Sequence, residues 1–411
     1  MSIRARFLLL LGLRWLSTGL VIPVVLLLPL SRGLSVTEVA VALAAQGVVV
    51  LLMEIPSGGL TDAWGRRRVF LLANAFVLIA YSLTYLAQSV TAFAVAFAVM
   101  GLYRALDSGA LEAWFVDAEH AAGQEQQVPS GLAASGGVIA AAIAVGSLSS
   151  AALLHLAPWP AAVTLAAPYV AAAAVTALVM VCASLLMHES TLAHAEGRLS
   201  WTGAMRGGLG LVMGPAVRWF VVAIMCAAVG VAALELLMPV RLQEFSAEET
   251  AAAAAMGVIS AGAWALASMG AFVVARILRH RGPGPVAVVL PLVQMVGLLT
   301  MAVAMGPTVL VAGFWTAYLV HTAFGAVFNA LVHERVDSRR RATALSITSM
   351  AFLSTAALAN IGLGKLADGA STPAGLLVGA VGFAGAAGVL MLAVRRAPVR
   401  PPGSDSRRVR V

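Results

Sequence analysis

Apolar runs long enough to cross a bilayer recur from one end of this chain to the other, and that recurrence constrains the fold more than any single motif. A bilayer core takes a helix of about twenty residues. Split at its Gly, Pro and charge clusters, the 411-residue chain leaves such runs near 7–30, 37–58, 69–88, 91–117, 129–154 and 161–187, then near 219–240, 250–275, 285–304, 307–332, 342–367 and 373–394. Hydrophobic residues make up 61% of the chain and charged residues 11%, too little polar surface to clothe a soluble domain of this length. In lipid the backbone must satisfy its own hydrogen bonds, and continuous runs do so as helices. The predicted fold is an all-α membrane protein with twelve transmembrane helices in two six-helix bundles. The first run starts after Arg4 and Arg6 and reaches Leu30 with no small-residue cleavage site, so it reads as a retained span and not a removed signal peptide.

Charge placement sets the predicted threading. With the amino terminus in the cytoplasm, the inner segments hold Arg66, Arg67, Arg68, Arg198, Arg206, Arg276, Arg279, Arg281, Arg335, Arg339, Arg340, Arg341 and the basic tail, while the outer side holds Arg32, Arg241 and, near its edge, Lys365. Losing one span would put half of these arginines outside, against the positive-inside rule. Both termini are therefore expected in the cytoplasm of a cell with this protein in its cytoplasmic membrane. The same rule accounts for the net charge of +8 without nucleic acid as a partner. The polar stretch 188–218 divides the chain into bundles at 1–187 and 219–396. Within it Trp201, Met205, Leu209 and Val212 recur at helical spacing, as in a helix lying on the membrane surface. Residues 397–411 read as a disordered basic tail that anionic lipid attracts. Cys182 and Cys226 sit in apolar runs as small hydrophobes, so neither a disulfide framework nor a thiol metal site is expected.

Between the second and third runs the chain reads Gly58-Gly59-Leu60-Thr61-Asp62-Ala63-Trp64-Gly65-Arg66-Arg67-Arg68. Gly58 and Gly65 permit tight turns and close helix approach. Asp62 is an anion suited to a helix amino terminus, where unpaired amides and the dipole favour negative charge. This segment resembles the signature loop of the major facilitator superfamily at Gly58, Leu60, Asp62, Gly65, Arg66 and Arg67, and it falls at the matching place in the topology. The preceding Glu54-Ile55-Pro56-Ser57-Gly58 resembles the end of the second helix in drug-exporter-like members, and Arg341-Ala342-Thr343 resembles the opening of their eleventh helix. The resemblance implies that Asp62 contacts the start of the eleventh helix and locks the outward-facing state. It also implies that Arg66 pairs with an acid ending the fourth helix, for which Asp117 is the match. Simple topogenic charge is the alternative reading of Arg66, Arg67 and Arg68. The fifth run is rich in small residues (Gly131, Ser135, Gly136, Gly137, Gly146) but lacks the Gly-Pro pair of the superfamily's antiporters.

Polar groups inside the spans are the candidate cavity. The fourth holds Arg104, Asp107, Ser108, Gly109 and Glu112, which hydrocarbon would penalise if they faced lipid. Arg104 and Asp107 are three apart, hence on one helical face, and a local ion pair between them is expected. In the superfamily an arginine of this helix is linked to proton coupling, although the glycine here is spaced one residue later than in that pattern. Arg14, Gln46, Glu235 and His321 complete the candidate coupling or substrate set. A carboxylate such as Glu235 in a low-dielectric site can exchange a proton near neutrality, while its place toward the outer end of its span allows a headgroup location. His321 titrates in the same range, or serves as a bundle hydrogen-bonding group. Trp15, Trp264, Phe314, Trp315 and Tyr318 lie inside spans and suit the lining of an apolar cavity for a drug-like solute, although most read as packing residues.

No phosphate-cradling Gly-x-x-x-x-Gly-Lys loop exists in a chain whose one lysine is Lys365, so ATP-driven pumping is excluded. No His-Glu-x-x-His or paired Asp cluster supports a membrane-embedded enzyme. The expected function is secondary active transport of a small molecule by a monomer, without a cofactor or metal. Proton-coupled efflux of a hydrophobic or cationic compound is the first reading. Uptake or facilitated passage of a small metabolite is the alternative.

Overall fold

The computed structural model describes residues 1–107, 109–157, 159–188, 217–336 and 341–396, with the backbone alone at 54–63, 341–342 and 396. The predicted surface helix at 199–212 and the tail at 397–411 lie outside the described residues. Sixteen α-helices and no strand occur among the described residues. In chain order they are α1 (Ile3–Val21), α2 (Leu27–Ser31), α3 (Val36–Trp64), α4 (Arg66–Leu86), α5 (Val90–Leu106), α6 (Ala110–Ala121), α7 (Val128–Leu156), α8 (Ala161–Thr164) and α9 (Ala167–Leu186). The second half holds α10 (Arg218–Glu244), α11 (Glu249–Leu278), α12 (Pro283–Ala302), α13 (Pro307–Leu319), α14 (His321–Arg335), α15 (Arg341–Gly369) and α16 (Thr372–Arg396). Eleven spans are long and apolar enough to cross a bilayer. α1 has the length, 19 residues, and falls outside that count because it carries Arg4, Arg6 and Arg14.

Four predicted spans are each built from two helices. The fourth breaks after α5, where Gly109 takes φ +81°, a left-handed turn that a Cβ disfavours. The tenth breaks between α13 and α14 at Val320 (φ −114°, ψ 1°). The first and sixth break at 22–26 and 165–166. In contrast, the predicted turn across 58–68 contracts to one residue. Helix α3 runs on to Trp64, and Gly65 alone, at φ +88°, turns the chain into α4. A Gly-Gly pair weakens a helix by only about 1 kcal/mol per glycine, less than the cost of leaving backbone amides unpaired near hydrocarbon.

In the first half α1 packs on α7 and α9, α3 on α5, and α4 on α5 and α9; in the second α10 packs on α15 and α16, and α12 on α13 and α16. The halves meet through α7 against α11 and α3 against α15. Missing side chains set the close approaches. A Cβ on Gly19 would lie 2.6 Å from the Ile143 carbonyl, one on Gly146 2.5 Å from that of Leu16, and one on Gly257 2.6 Å from that of Ser147. Of the fifth run's other glycines, Gly131 accommodates the Phe115 ring, whereas Gly136 and Gly137 face open space.

Twelve crossings return the chain to its starting end. The opposite, distal end holds the α2–α3 and α15–α16 turns, and there the halves are joined. Ser35 caps α3 by accepting the Glu38 amide (3.2 Å), and the Asp368 carboxylate of α15 accepts the next two free amides, Val36 on Oδ1 (3.1 Å) and Thr37 on Oδ2 (2.8 Å). Gly364, one turn earlier, leaves room for this approach, since its Cβ would lie 2.9 Å from Thr37 Cα.

Candidate functional site

Corresponding helix breaks in the two halves mark where to look. In a protein built from repeated bundles, interrupted spans at equivalent places form the solute and ion sites, because free backbone and polar side chains are tolerated only where they line a cavity. The fourth span of each half is interrupted here, at residues 107–109 and at Val320.

At the first break Asp107 closes the end of α5, its amide bonding to the Tyr103 carbonyl (2.9 Å). Its carboxylate forms an ion pair with Arg14 of α1, the side chains being 2% and 13% exposed. Arg14 Nε donates to the Tyr103 hydroxyl (3.1 Å), and its guanidinium lies 4.8 Å from the Trp15 ring centroid. Three contacts thus hold one guanidinium in place. The Asp107 carboxylate is only half satisfied: Oδ2 meets Arg14, while the buried Oδ1 has no partner among the described residues.

These groups line a cavity of about 350 Å³ together with Gln46, Tyr81 and Met100. Arg104 also lines it. Its side chain is exposed there and makes no ion pair among the described residues. The predicted Arg104–Asp107 pair is therefore replaced by Arg14–Asp107. The i,i+3 relation would bring the two together on a continuing helix, but α5 ends at Leu106 and the carboxylate turns to the neighbouring α1.

The second half carries a different cluster at its break. Tyr318 of α13 donates its hydroxyl hydrogen to Glu235 Oε1 of α10. The Tyr318 ring stacks on His321 (centroids 5.0 Å), tilts against Phe314 (4.6 Å) and meets Trp264 edge-on (6.2 Å). Nδ1 of His321 lies 3.3 Å from Nε2 of the fully buried Gln294. Glu235 is thus an exposed carboxylate that Tyr318 ties to α13.

The remaining candidates scatter. Gln46 joins the cavity wall, while Glu235 and His321 stand outside it. Glu112 sits in the first turn of α6, away from the wall. Beside the Gly65 turn, Arg66 Nε lies 3.4 Å from Asp117 Oδ2, and Arg67 donates to the Ser184 carbonyl (2.6 Å). Ser108 and the side chains of Leu60 and Asp62 lie outside the described residues, and Gly58 lies within α3. Sequence reasoning passed over Tyr81 and Tyr103; of the span aromatics it offered as cavity lining or packing, Trp15 lines the cavity and Tyr318 does not. A mid-span tyrosine four residues before an aspartate, as Tyr103 precedes Asp107, is the signal that could have found the first site.

Comparison with known proteins agrees with this architecture. The family model of the Major Facilitator Superfamily matches residues 7–359. No protein of curated function matches the sequence. The fold is similar to two crystal structures of the nucleoside transporter NupG, one of them a mutant. The mutant has a TM-score of 0.82 at 12% identity, covering 95% of this chain and 100% of that one. The other has a TM-score of 0.80 at 13% identity, covering 97% and 100%. It is also similar to the E. coli fucose:proton symporter FucP, with a TM-score of 0.62 at 17% identity, covering 95% and 97%. The family match over most of the chain and the twelve-span helical architecture agree, and the chain belongs to the Major Facilitator Superfamily of transporters.

Proposed function

We propose that the protein is a proton-coupled symporter that carries a small polar organic solute across the cytoplasmic membrane, as a monomer with both termini inside. The Arg14–Asp107 pair carries this reading. A buried carboxylate held on one oxygen by a guanidinium, with the other oxygen free beside a cavity, is a proton site whose loading has a consequence. Protonation cancels the attraction that fixes Arg14, and the released guanidinium becomes available to solute. Proton and solute then favour the same rearranged state, which is what coupling requires. The bundles at 1–187 and 219–396, linked by 188–218, rock about the α7–α11 and α3–α15 contacts to expose the cavity to each side in turn.

Symport takes precedence over efflux for two reasons. The cavity wall sets Arg14 and Arg104 against one carboxylate, which repels a cationic drug. The similar structures are named as a nucleoside transporter and a fucose:proton symporter, both of which act on polar solutes. The exporter-like resemblance of segment 54–58 supports the other direction, from a part of the chain remote from the cavity.

The test uses purified protein in liposomes with an internal pH dye. An inward proton gradient is imposed, and uridine, fucose, benzoate, phenylacetate and tetraphenylphosphonium are added in turn. Solute-dependent proton entry that vanishes in Asp107→Asn and persists in Glu235→Gln is expected. Coupling that survives Asp107→Asn, or proton exit driven by tetraphenylphosphonium, would sink the reading.

A further inference from the structure

The cavity has more positive charge than its own residues neutralise. Arg14 is matched by Asp107, but Arg104, near the middle of the fourth span, faces the same space with no carboxylate partner among the described residues. Glu235, the candidate acid of the other half, does not line the cavity and is engaged by Tyr318; Glu112 is off the wall as well. A guanidinium inside a membrane protein is costly unless an anion or a water-filled space compensates it. It stays charged, and presents a planar fork of donors that fits a carboxylate in two-point fashion. A second atom also lacks its partner. Asp107, a residue of the same cavity lining, has its buried Oδ1 unbonded among the described residues. An unpaired cation and an unpaired acceptor in one cavity lining describe a ligand that brings an anionic group together with a hydrogen-bond donor, or with the transported proton.

We propose that the transported solute is an organic monocarboxylate whose carboxylate seats on Arg104 and whose apolar body lies against Trp15, Tyr81, Tyr103 and Met100. This deepens the symport reading above and rests on it. One uncompensated guanidinium calls for one negative charge, and the aromatic and thioether groups around it suit a ring or a short alkyl chain more than a polyhydroxylated body. The volume, about 350 Å³, holds a molecule of a single ring system. A proton on Asp107 and an anion on Arg104 cross together with no net charge. Asp107 in its acid form then donates through the oxygen that is now unbonded, and Arg14, Tyr103 and Gln46 are the neighbouring groups that exchange partners as it does so.

The test is binding to the purified full-length protein by isothermal titration. Benzoate, phenylacetate and indole-3-acetate are each paired with the corresponding primary amide, and benzylamine and uridine are added as a cation and a neutral solute. At least one acid is expected to bind about tenfold or more tightly than its amide, since a site built for a charged group rejects the isostere that lacks it. Arg104→Gln abolishes the preference, and Arg104→Lys keeps the charge and part of the preference. Amides binding as well as acids, acid preference retained in Arg104→Gln, or no acid binding at all would each overturn the assignment. Uridine binding that depends on Asp107, with no acid bound, would leave the symport reading standing while removing the anion from it. If Arg104→Gln fails to elute as a monodisperse peak, the wild-type acid and amide comparison and Arg104→Lys decide.

Discussion

Replacing Asp368 by alanine is expected to open the distal end of the bundle. The first free amides of α3 are divided between two sources: Ser35 of the same chain segment takes that of Glu38, and Asp368 of the opposite half takes those of Val36 and Thr37. The Asp368 bonds exist only while the halves are closed there, since in the open state water takes both amides. Losing a side-chain cap costs about 1 kcal/mol, with a range of about 0.5–2, and the exposed position of Asp368 argues for the lower half of what two charge-assisted bonds could give. A loss of about 1–2 kcal/mol moves a two-state ratio about five- to thirtyfold. Asp368→Asn keeps one acceptor oxygen of two and is expected to fall between. Spin labels at Gln88→Cys and Ala370→Cys, in a Cys182→Ser and Cys226→Ser background, report the distal separation by pulsed electron spin resonance. A longer-distance population in alanine, smaller in asparagine, is the expected result. Identical distributions in wild type and Asp368→Ala would refute the reasoning, because the carboxylate would then contribute nothing to closure.

Removing Arg14 while Asp107 remains leaves a buried carboxylate without its cation, so Arg14→Ala is expected to destabilise by about 3–5 kcal/mol; thermal unfolding in detergent reads it, and Arg14→Ala combined with Asp107→Asn is expected to recover much of the loss. Gly270→Ala is expected to lower the unfolding midpoint sharply, since its Cβ would collide with the Leu319 carbonyl just before the tenth-span break, whereas Gly388→Ala, with nothing within 4 Å, leaves the midpoint unchanged or raised. Symport of one proton with one monocarboxylate is electroneutral, so a potassium diffusion potential set with valinomycin leaves the initial rate unchanged; acceleration by an inside-negative potential would show net positive charge moving.

The span pattern was legible in the sequence because hydropathy over about twenty residues is a local property. Boundaries agree within a few residues where a run is uniform, as at 249–278 and 372–396. They fail where backbone and tertiary demands compete. Gly58-Gly59 read as a turn and stayed helical, whereas Val320 carries no breaker signal and yet divides the tenth span. The site was half legible. Arg14, Gln46, Arg104 and Asp107 stood out because charge and amide groups are rare in spans. Their partners did not, because pairing depends on which helices touch: α1 lies 89 positions from Tyr103 along the chain and contributes the guanidinium that Tyr103 binds. Likewise Tyr318, read as packing, proves to tie Glu235 into the second half, a role set by α13 facing α10.

The α3–α15 pair suggests how the two ends alternate. Gly47 of α3 meets Ala357 of α15 and Thr37 meets Gly364, so the helices run antiparallel and each presents its amino terminus beside the other's carboxyl end. Asp368, in the last turn of α15, uses this at the distal end. Asp62 stands near the end of α3, two residues before Trp64, where the start of α15 at Arg341 would be its counterpart. If the pair pivots as a lever, closing one end opens the other, and a carboxylate at each end stabilises a different state by a similar amount through the same amide chemistry. Asp62→Ala is then expected to shift the distal labels toward the closed population, the reverse of Asp368→Ala. Combining the two substitutions is expected to return the Gln88–Ala370 distribution near that of the wild type. Additive opening in the double variant would show that the two acids act on separate motions, and the lever would have to be abandoned.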